Sequence, residues 1–338
     1  MLLSELLKGL NVLSEYVDRE ISDVTDKTHK ISEGCAFVCV VGARFDGHSF
    51  AANAIKEGAK AVIVSRDLGL KEQILVENTR EAYAVMCKNL CGCAVDKLTV
   101  IGITGTNGKT TTAFVVKDIL SSLGIKSGLI GTVKNMVGER EFHTELTTPD
   151  PYDMHALFKM MVDDGIKYCV METSSQAFHQ MRLAGIHFET GVFTNLTQDH
   201  LDYHITMDNY VAAKRKLFKN CGVAIFNGDD AYCLKMQEGI KCPIVTFSVN
   251  SDTDYVAKDI EYNPSGTCFT LTGKSQGKIT TQTPGKFSVY NAMTALSAVS
   301  ALGIELGEAV KYIAGFGGVM GRAEVVPTGR DFTVIIDY

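Results

Sequence analysis

The sequence predicts an α/β protein. It reads as a small N-terminal α/β domain followed by a mostly parallel, doubly wound sheet with a small antiparallel β-sheet. Three observations predict it. Short apolar runs that read as buried strands alternate with helical stretches along most of the chain. A Gly-rich loop stands between a β-branched strand and a helix at 102–112. Residues 254–284 then change to short strands joined by Gly-containing turns.

A length of 338 residues suits two domains, placed at 1–97 and 98–338 with Val95-Asp96-Lys97 as the hinge. In the first, Cys35–Val41 and Ala59–Ser65 are continuous apolar runs that read as buried strands. Between them Ser49–Gly58 reads as a helix closed by Gly58, and Thr79–Leu90 as a second helix. In the second, Leu98–Thr104 is a strand, and a helix runs from Lys109 to Leu123 with Gly124 as its cap. Strands follow at Ser127–Val133, Tyr168–Glu172, Gly191–Leu196, Val223–Asn227 and Pro243–Ser248, with helices at Tyr152–Asp164 and Met207–Phe218. Asp254–Tyr262, Thr267–Thr272 and Lys278–Gln282 form the antiparallel strands, Val289–Ala301 and Leu306–Ala314 two helices, and Thr333–Asp337 a last strand.

Composition bounds the function. The net charge of −6 argues against a broad footprint on nucleic acid, while one nest of backbone amides can still hold a phosphate on a negative protein. No apolar run approaches the ~20 residues that span a bilayer, and charges interrupt the N-terminal leucines, so neither a membrane segment nor a signal peptide is expected. The ten cysteines show no disulfide framework or zinc spacing. Cys87 and Cys91 lie one helical turn apart, which fits packing, and reduced thiols fit the cytoplasm.

The strongest local signal is Gly102-Ile103-Thr104-Gly105-Thr106-Asn107-Gly108-Lys109-Thr110-Thr111-Thr112. Strand, glycine loop, Lys-Thr and helix come in the order of a P-loop. Backbone amides would face phosphate oxygens, Lys109 would neutralise the β- and γ-phosphates, and the Thr110 hydroxyl would ligate Mg²⁺. Ile103 stands where the usual pattern has its first glycine, and Gly105 and Gly108 take over. The plainer alternative is a turn that only joins a strand to a helix.

The string Gly105-Thr106-Asn107-Gly108-Lys109-Thr110 is the form seen in Mur ligases and the related folylpolyglutamate synthetases. Met171-Glu172-Thr173-Ser174-Ser175 resembles the family's segment around its metal-binding glutamate, and Phe193–His204 its asparagine–histidine segment. Tyr210-Val211-Ala212-Ala213-Lys214 resembles the segment with a modified lysine. Asn227-Gly228-Asp229-Asp230, Gly285–Asn291 and Gly321-Arg322-Ala323-Glu324 continue the series, so the resemblance covers nearly the whole chain. Gly34–Gly42, Asp46-Gly47-His48 and Phe50 resemble the UDP-binding domain of the MurE and MurF types, and Thr147-Thr148-Pro149 points to the MurE type.

That resemblance implies an ATP-dependent ligase of peptidoglycan synthesis. It would add L-lysine or meso-diaminopimelate to UDP-N-acetylmuramoyl-L-alanyl-D-glutamate through an acyl phosphate. ATP and Mg²⁺ are the implied cofactors, the UDP-muramoyl dipeptide and an amino acid the partners, and a monomer the expected state. Lys109, His200 and Lys214 carry the catalytic roles. Gly105, Thr106, Asn107, Gly108, Lys109, Thr110, Thr111, Asn291 and Arg322 hold ATP, with Asn227 a further residue near the adenine. Thr110, Glu172, His200 and a carbamylated Lys214 hold the metals; the carbamate replaces a cation that would repel Mg²⁺ by an anionic oxygen. Thr28, Arg44, Phe45, Thr147, Thr148, Ser174, Gln180 and Arg182 match positions that contact the UDP-muramoyl substrate. His155, His179 and His187 match no functional pattern and read as structural.

Two departures bear on the substrate. Lys27-Thr28-His29 stands where the MurE type carries Asp-Ser-Arg, and Gln176 where a histidine follows the paired serines. In the family a segment like Val334–Tyr338 leads into a third, amino-acid-binding domain, which is expected to be absent from this chain. Two other readings are a nucleotide-binding module that has lost ligation and a ligase for another acid, such as a folate or a MurF-type substrate. Lys109, Glu172, His200 and Lys214 together favour metal–ATP chemistry over the first. The UDP-domain resemblance at 1–97 leaves the folate reading without support.

Overall fold

The computed structural model describes residues 1–338 apart from Ala43, Arg44, Ala323, Pro327, Thr328, Asp331, Thr333 and Tyr338; Glu308 and Val325 are described in backbone only. The chain divides into two compact units: Met1–Lys97, Pro149–Asp163 and Ala177–Ile186 form the first, and Leu98–Thr148, Asp164–Gln176 and His187–Tyr338 the second. Pro149–Asp163 and Ala177–Ile186, read from sequence as parts of 98–338, therefore pack with the first unit.

In that unit β1 (Val24–Thr25), β2 (Ala36–Val38), β3 (Ala61–Val64) and β4 (Gln73–Leu75) form a parallel sheet in sequence order. Side chains of β2 alternate between faces. Ala36 and Val38 join a core with Leu3, Leu6, Tyr83 and Met86, and Phe37 joins one with Ala51, Ala54 and Val62. Of the run Cys35–Val41 only Ala36–Val38 joins the sheet, because the chain turns at Cys39, where Val40 N donates to Val38 O at 2.9 Å. The helices are α1 (Leu3–Leu6), α2 (Ala51–Lys56) and α3 (Thr79–Leu90). The Asn78 side chain caps α3 by accepting from Arg80 N and Glu81 N. Cys87 lies in this core, and all ten cysteines are free.

The second unit carries an eleven-stranded sheet. It opens with β5 (Thr99–Thr104), α4 (Lys109–Ser122), β6 (Ser127–Ile130), and a hairpin of β7 (Asn135–Val137) and β8 (Arg140–Phe142). The chain passes through the first unit as α5 (Pro151–Asp163), returns as β9 (Tyr168–Glu172), enters α6 (Ser175–His179), and returns again as β10 (Phe188–Phe193). Next come α7 (Leu201–His204), α8 (Met207–Arg215), β11 (Cys221–Asn227), α9 (Cys233–Gln237) and β12 (Ile244–Ser248). The order β12-β11-β10-β5-β9-β6 is parallel throughout. β5 has β9 and β6 on one side and β10 to β12 on the other, the switch point at which open α/β sheets bind ligands beyond their strand ends.

β13 (Tyr255–Asn263), β14 (Gly266–Gly273) and β15 (Gly277–Thr281) are antiparallel, as read from sequence. They continue the large sheet, because β13 pairs in parallel with β12 through Phe247–Tyr255 and Ser248–Val256. Helices α10 (Lys286–Ala301) and α11 (Leu306–Ile313) pack with α4 on one face of the sheet, where Val116, Ile119, Met293 and Leu296 are at most 1% exposed. Burial of such side chains contributes ~1.5–3 kcal/mol each, which outweighs the low helix propensity of the threonines and valines in α4. β16 (Glu324–Val326) and β17 (Val334–Ile336) pair as a separate hairpin. No helix among the described residues is long and apolar enough to cross a membrane.

Candidate functional site

Gly105 follows β5 at φ 149°, and Gly108 caps α4 at φ 83°, a left-handed conformation that glycine adopts without steric cost. Crowding makes the first position stricter: a Cβ on Gly105 would lie 1.9 Å from Thr194 Oγ1. The first helical bond of α4 runs from Thr112 N to Gly108 O, so the amides of Lys109, Thr110 and Thr111 have no acceptor inside the helix. They make the anion-binding end of the loop. Lys109 curls over it and donates to Gly105 O at 3.0 Å and Thr106 O at 2.8 Å. The residue is only partly covered, but its ammonium is turned inward; that loss of hydration lowers its pKa, with Glu172 opposing and Arg322 adding to the fall.

The segment after β10 braces the loop. Thr194 Oγ1 donates to Asn107 O at 2.6 Å, Asn107 N to Asn195 Oδ1 at 3.0 Å, and Asn195 Nδ2 back to Asn107 O at 3.0 Å. Residues 194–196 were read as strand, and this bracing is why β10 stops at Phe193. Asn227 Nδ2 donates to Thr194 O at 2.9 Å, so in this structure it ties β11 to the brace.

Glu172 ends β9 with no exposed surface. Its Oε2 accepts from Thr110 Oγ1 at 2.8 Å and Thr132 Oγ1 at 3.0 Å, and its Oε1 from Thr132 N at 2.8 Å. A Cβ at Gly131 would lie 2.3 Å from Oε1, so glycine there leaves room for the carboxylate. Among the described residues no lysine or arginine pairs with it. A buried carboxylate met by hydroxyls and one amide fits a hard divalent ion bound with Thr110. Among the described residues no group of three or more His, Cys, Asp or Glu side chains is placed to hold a metal ion. The set expected from sequence relies on a hydroxyl and a modified lysine, and so would not form one.

Lys214, on α8, is 1% exposed, and its Nζ donates to Gly105 O at 2.7 Å and stands 4.5 Å from the centre of the Tyr210 ring. Burial pushes its pKa well down, the charge of Lys109 adds to the fall, and Asp199 opposes it. His200 caps α7 in a left-handed conformation, its ring edge-on to Tyr210 at 6.3 Å. Tyr210 OH lies 3.3 Å from Thr106 Oγ1, and His204, behind Tyr210, sits 2.9 Å from Ser175 Oγ. Tyr210, His204, Thr132, Gly131 and Asn195 were not singled out from sequence as site residues. All except Gly131 and Thr132 lay inside quoted segments, and that position was the available signal.

Asn291 lies on α10 facing the loop: its Oδ1 would be 2.6 Å from a Cβ on Gly108. With Thr111, Thr281, Thr283, Ser288 and Phe316 it lines a small cavity between α4, β15, α10 and α11. Arg322 N donates to Val319 O at 2.9 Å.

Of the substrate candidates in this unit, Thr147 Oγ1 lies 3.1 Å from Thr132 Oγ1, and since the Thr132 proton goes to Glu172, Thr147 is the donor of that pair. Thr148 is 1% exposed, its hydroxyl donating to Glu172 O and accepting from Ser174 N. It therefore shapes the strand end. In the first unit, Gln180 Oε1 accepts from Arg182 Nε at 3.0 Å and Nη2 at 2.6 Å, and both side chains line one cleft. Thr28 is exposed in a short 3₁₀ turn, and Phe45 is 72% exposed. Arg44 lies outside the described residues.

Comparison with known proteins follows the same lines. Residues 103–299 match the Mur ligase middle domain, and residues 20–89 the Mur ligase family, catalytic domain. The UDP-N-acetylmuramoyl-L-alanyl-D-glutamate--2,6-diaminopimelate ligase of Clostridium perfringens (strain 13 / Type A) is 41% identical, spanning 100% of this chain and 72% of the relative. The enzyme of the same name from Caldanaerobacter subterraneus subsp. tengcongensis is 40% identical, spanning 100% and 71%. A solved structure of a UDP-N-acetylmuramoyl-L-alanyl-D-glutamate--2,6-diaminopimelate ligase superposes with a TM-score of 0.87 at 27% identity, covering 99% of this chain and 70% of that one. MurF ligase from Thermotoga maritima in complex with ADP shares the fold, with a TM-score of 0.59 at 21% identity over 90% of this chain and 68% of that one.

Proposed function

The chain belongs to the Mur ligase family, and from that premise we propose that it serves as the MurE-type ligase, joining meso-diaminopimelate to UDP-N-acetylmuramoyl-L-alanyl-D-glutamate at the expense of ATP. In the proposed reaction a carboxylate oxygen of the dipeptide attacks the γ-phosphorus, ADP leaves, and an acyl phosphate forms. The amine of the incoming amino acid then adds to the acyl carbon, loses a proton, and expels phosphate.

The first step brings an anion to a polyanion, so it needs positive charge and positioning more than acid–base groups. The amides of Lys109 to Thr111 and the Lys109 ammonium would grip the phosphates once the ammonium leaves the carbonyls of Gly105 and Thr106. Bound Mg²⁺ would neutralise charge between the phosphates and the attacking carboxylate. Thr110 and Glu172 suit one such ion, and His200 with a carbamylated Lys214 the second. Burial helps Lys214 toward that modification, since carbamylation needs a neutral amine. Asn291 and its cavity would take the adenine, with Arg322 on the phosphates.

One observation carries the reading. Thr110, Glu172, Thr132 and Thr147 form an unbroken chain of hydrogen bonds, so a residue matched to the substrate sits two side chains from the metal candidates. A reaction run on ATP and nucleotide-linked intermediates, in a protein whose ten cysteines are free, belongs in the cytoplasm.

The test is ADP formation from Mg·ATP with the UDP-muramoyl dipeptide and either diaminopimelate or lysine. It should be run on this chain and on the chain continued through the further length its relatives carry. The continued chain should form ADP only with the dipeptide present, and faster with diaminopimelate than with lysine. ADP formation indifferent to the dipeptide would end the proposal.

A further inference from the structure

The cleft in the first unit, about 260 Å³, brings Asp26, Arg80, Tyr83, Asp150, Gln180 and Arg182 together. Arg80 is fixed by Nη2 donating to Val41 O at 2.5 Å, and Arg182 by Gln180. Both guanidiniums are thus held in place for an anion. An anion from the chain itself already stands there. Asp150 Oδ1 is 3.5 Å from Arg182 Nε and Oδ2 is 3.4 Å from Lys27 Nζ, one cation at each oxygen.

Three features make Asp150 a poor permanent partner. Both contacts are at the long end of ion pairing. Its side chain is 32% exposed, so water screens the attraction. It also faces a second carboxylate, Asp26, whose Oδ1 is buried with no hydrogen-bond partner; burial and the charge of Asp150 both raise the Asp26 pKa. A carboxylate built only to stabilise this fold would gain nothing from that neighbour.

We propose that Asp150 is a placeholder anion in the substrate cleft, holding Arg182 and Lys27 until an anionic group of the substrate displaces it. This rests on the reading of Gln180 and Arg182 as contacts of a UDP-muramoyl peptide. Displacement makes Asp150 a specificity-determining residue: a ligand must replace both ion pairs, so weak single anions are turned away. The displacing group is a carboxylate of the peptide or the diphosphate of UDP.

Titration calorimetry of the full chain with the UDP-muramoyl dipeptide and with UDP tests this, comparing wild type with Asp150→Asn. The variant keeps the shape and removes the charge. It should bind the dipeptide substrate roughly three- to tenfold more tightly at low salt, with the gain shrinking as salt rises. Tighter binding of the dipeptide alone assigns the displacement to a carboxylate; tighter binding of UDP as well assigns it to the diphosphate. Unchanged or weaker binding of the dipeptide by a variant with wild-type unfolding temperature overturns the proposal. Arg182→Met separates this failure from that of the ligase reading. A wild type and a variant that bind the dipeptide equally would reject Arg182 as a contact, and the placeholder with it.

Discussion

Ile205 holds φ 69° and ψ −46°, and Thr206 N donates to His204 O across it at 2.8 Å. That is a positive-φ γ-turn, strained for any side chain and most of all for a β-branched one. The side chain is 78% exposed, so packing does not offset the strain. Ile205→Gly should therefore stabilise the protein by about 1 kcal/mol, after the entropy glycine adds to the unfolded chain, in denaturant unfolding. Destabilisation would mean that the turn is held by contacts of Ile205 itself. The turn joins His204 to α8, where Lys214 resides, and Lys214 gives a second prediction. Lys214→Ala in the ligase should lose activity and regain part of it with added short carboxylic acids, which can supply the missing anionic oxygen. Full activity without rescue would reject the carbamate. Lys109 stood out because its loop has a chemical reason for each residue type, whereas Glu172 and Lys214 were picked out through the resemblance of their segments to the family's. Thr132 and Gly131 were not, because the support of a buried carboxylate by a turn forty residues earlier leaves no local pattern.

At the scale of elements, the loop is the part most constrained by its neighbours. Gly105→Ala would drive a methyl group into Thr194 Oγ1 at 1.9 Å, in a segment that also holds Asn107 through Asn195. It should cost ~2–4 kcal/mol in unfolding free energy and weaken nucleotide binding at least tenfold. Wild-type values for both would show that β10 and the loop part easily. Elements with a full apolar period, such as α3 and β5, were legible in sequence, and α3 matches its expected bounds of Thr79–Leu90. β1 and β4, two and three residues long, are too short to show a period. The β7–β8 hairpin hid behind the run Ser127–Val133, and Gly138, at φ 61° in its turn, was the signal available.

On the scale of the whole molecule, the alternation of strand and helix patterns foretold an α/β protein. They did not foretell that α5 packs on α3, since an amphipathic helix reveals which face is buried and not what covers it. That packing buries His155 with both ring nitrogens lacking a hydrogen-bond partner, beside Phe158, and burial depresses its pKa to about 3 from an ordinary 6.5. The unfolded chain therefore takes up this proton first as pH falls. The stability that neutral His155 permits is complete above about pH 6.5 and is lost between there and about pH 3, by at most ~1.4 kcal/mol per pH unit. His155→Phe should flatten that part of the stability–pH curve, and an unchanged slope would show that the histidine ring gains a partner in solution.

The proposed chemistry depends on a triphosphate held by the loop at the end of β5. Affinity for Mg·ATP, measured by calorimetry on wild type and on Lys109→Ala at matched unfolding temperature, addresses that dependence directly. Wild type should bind a single nucleotide, and the variant should show no measurable binding. Equal affinity in the two proteins, or no binding by either, would contradict the account.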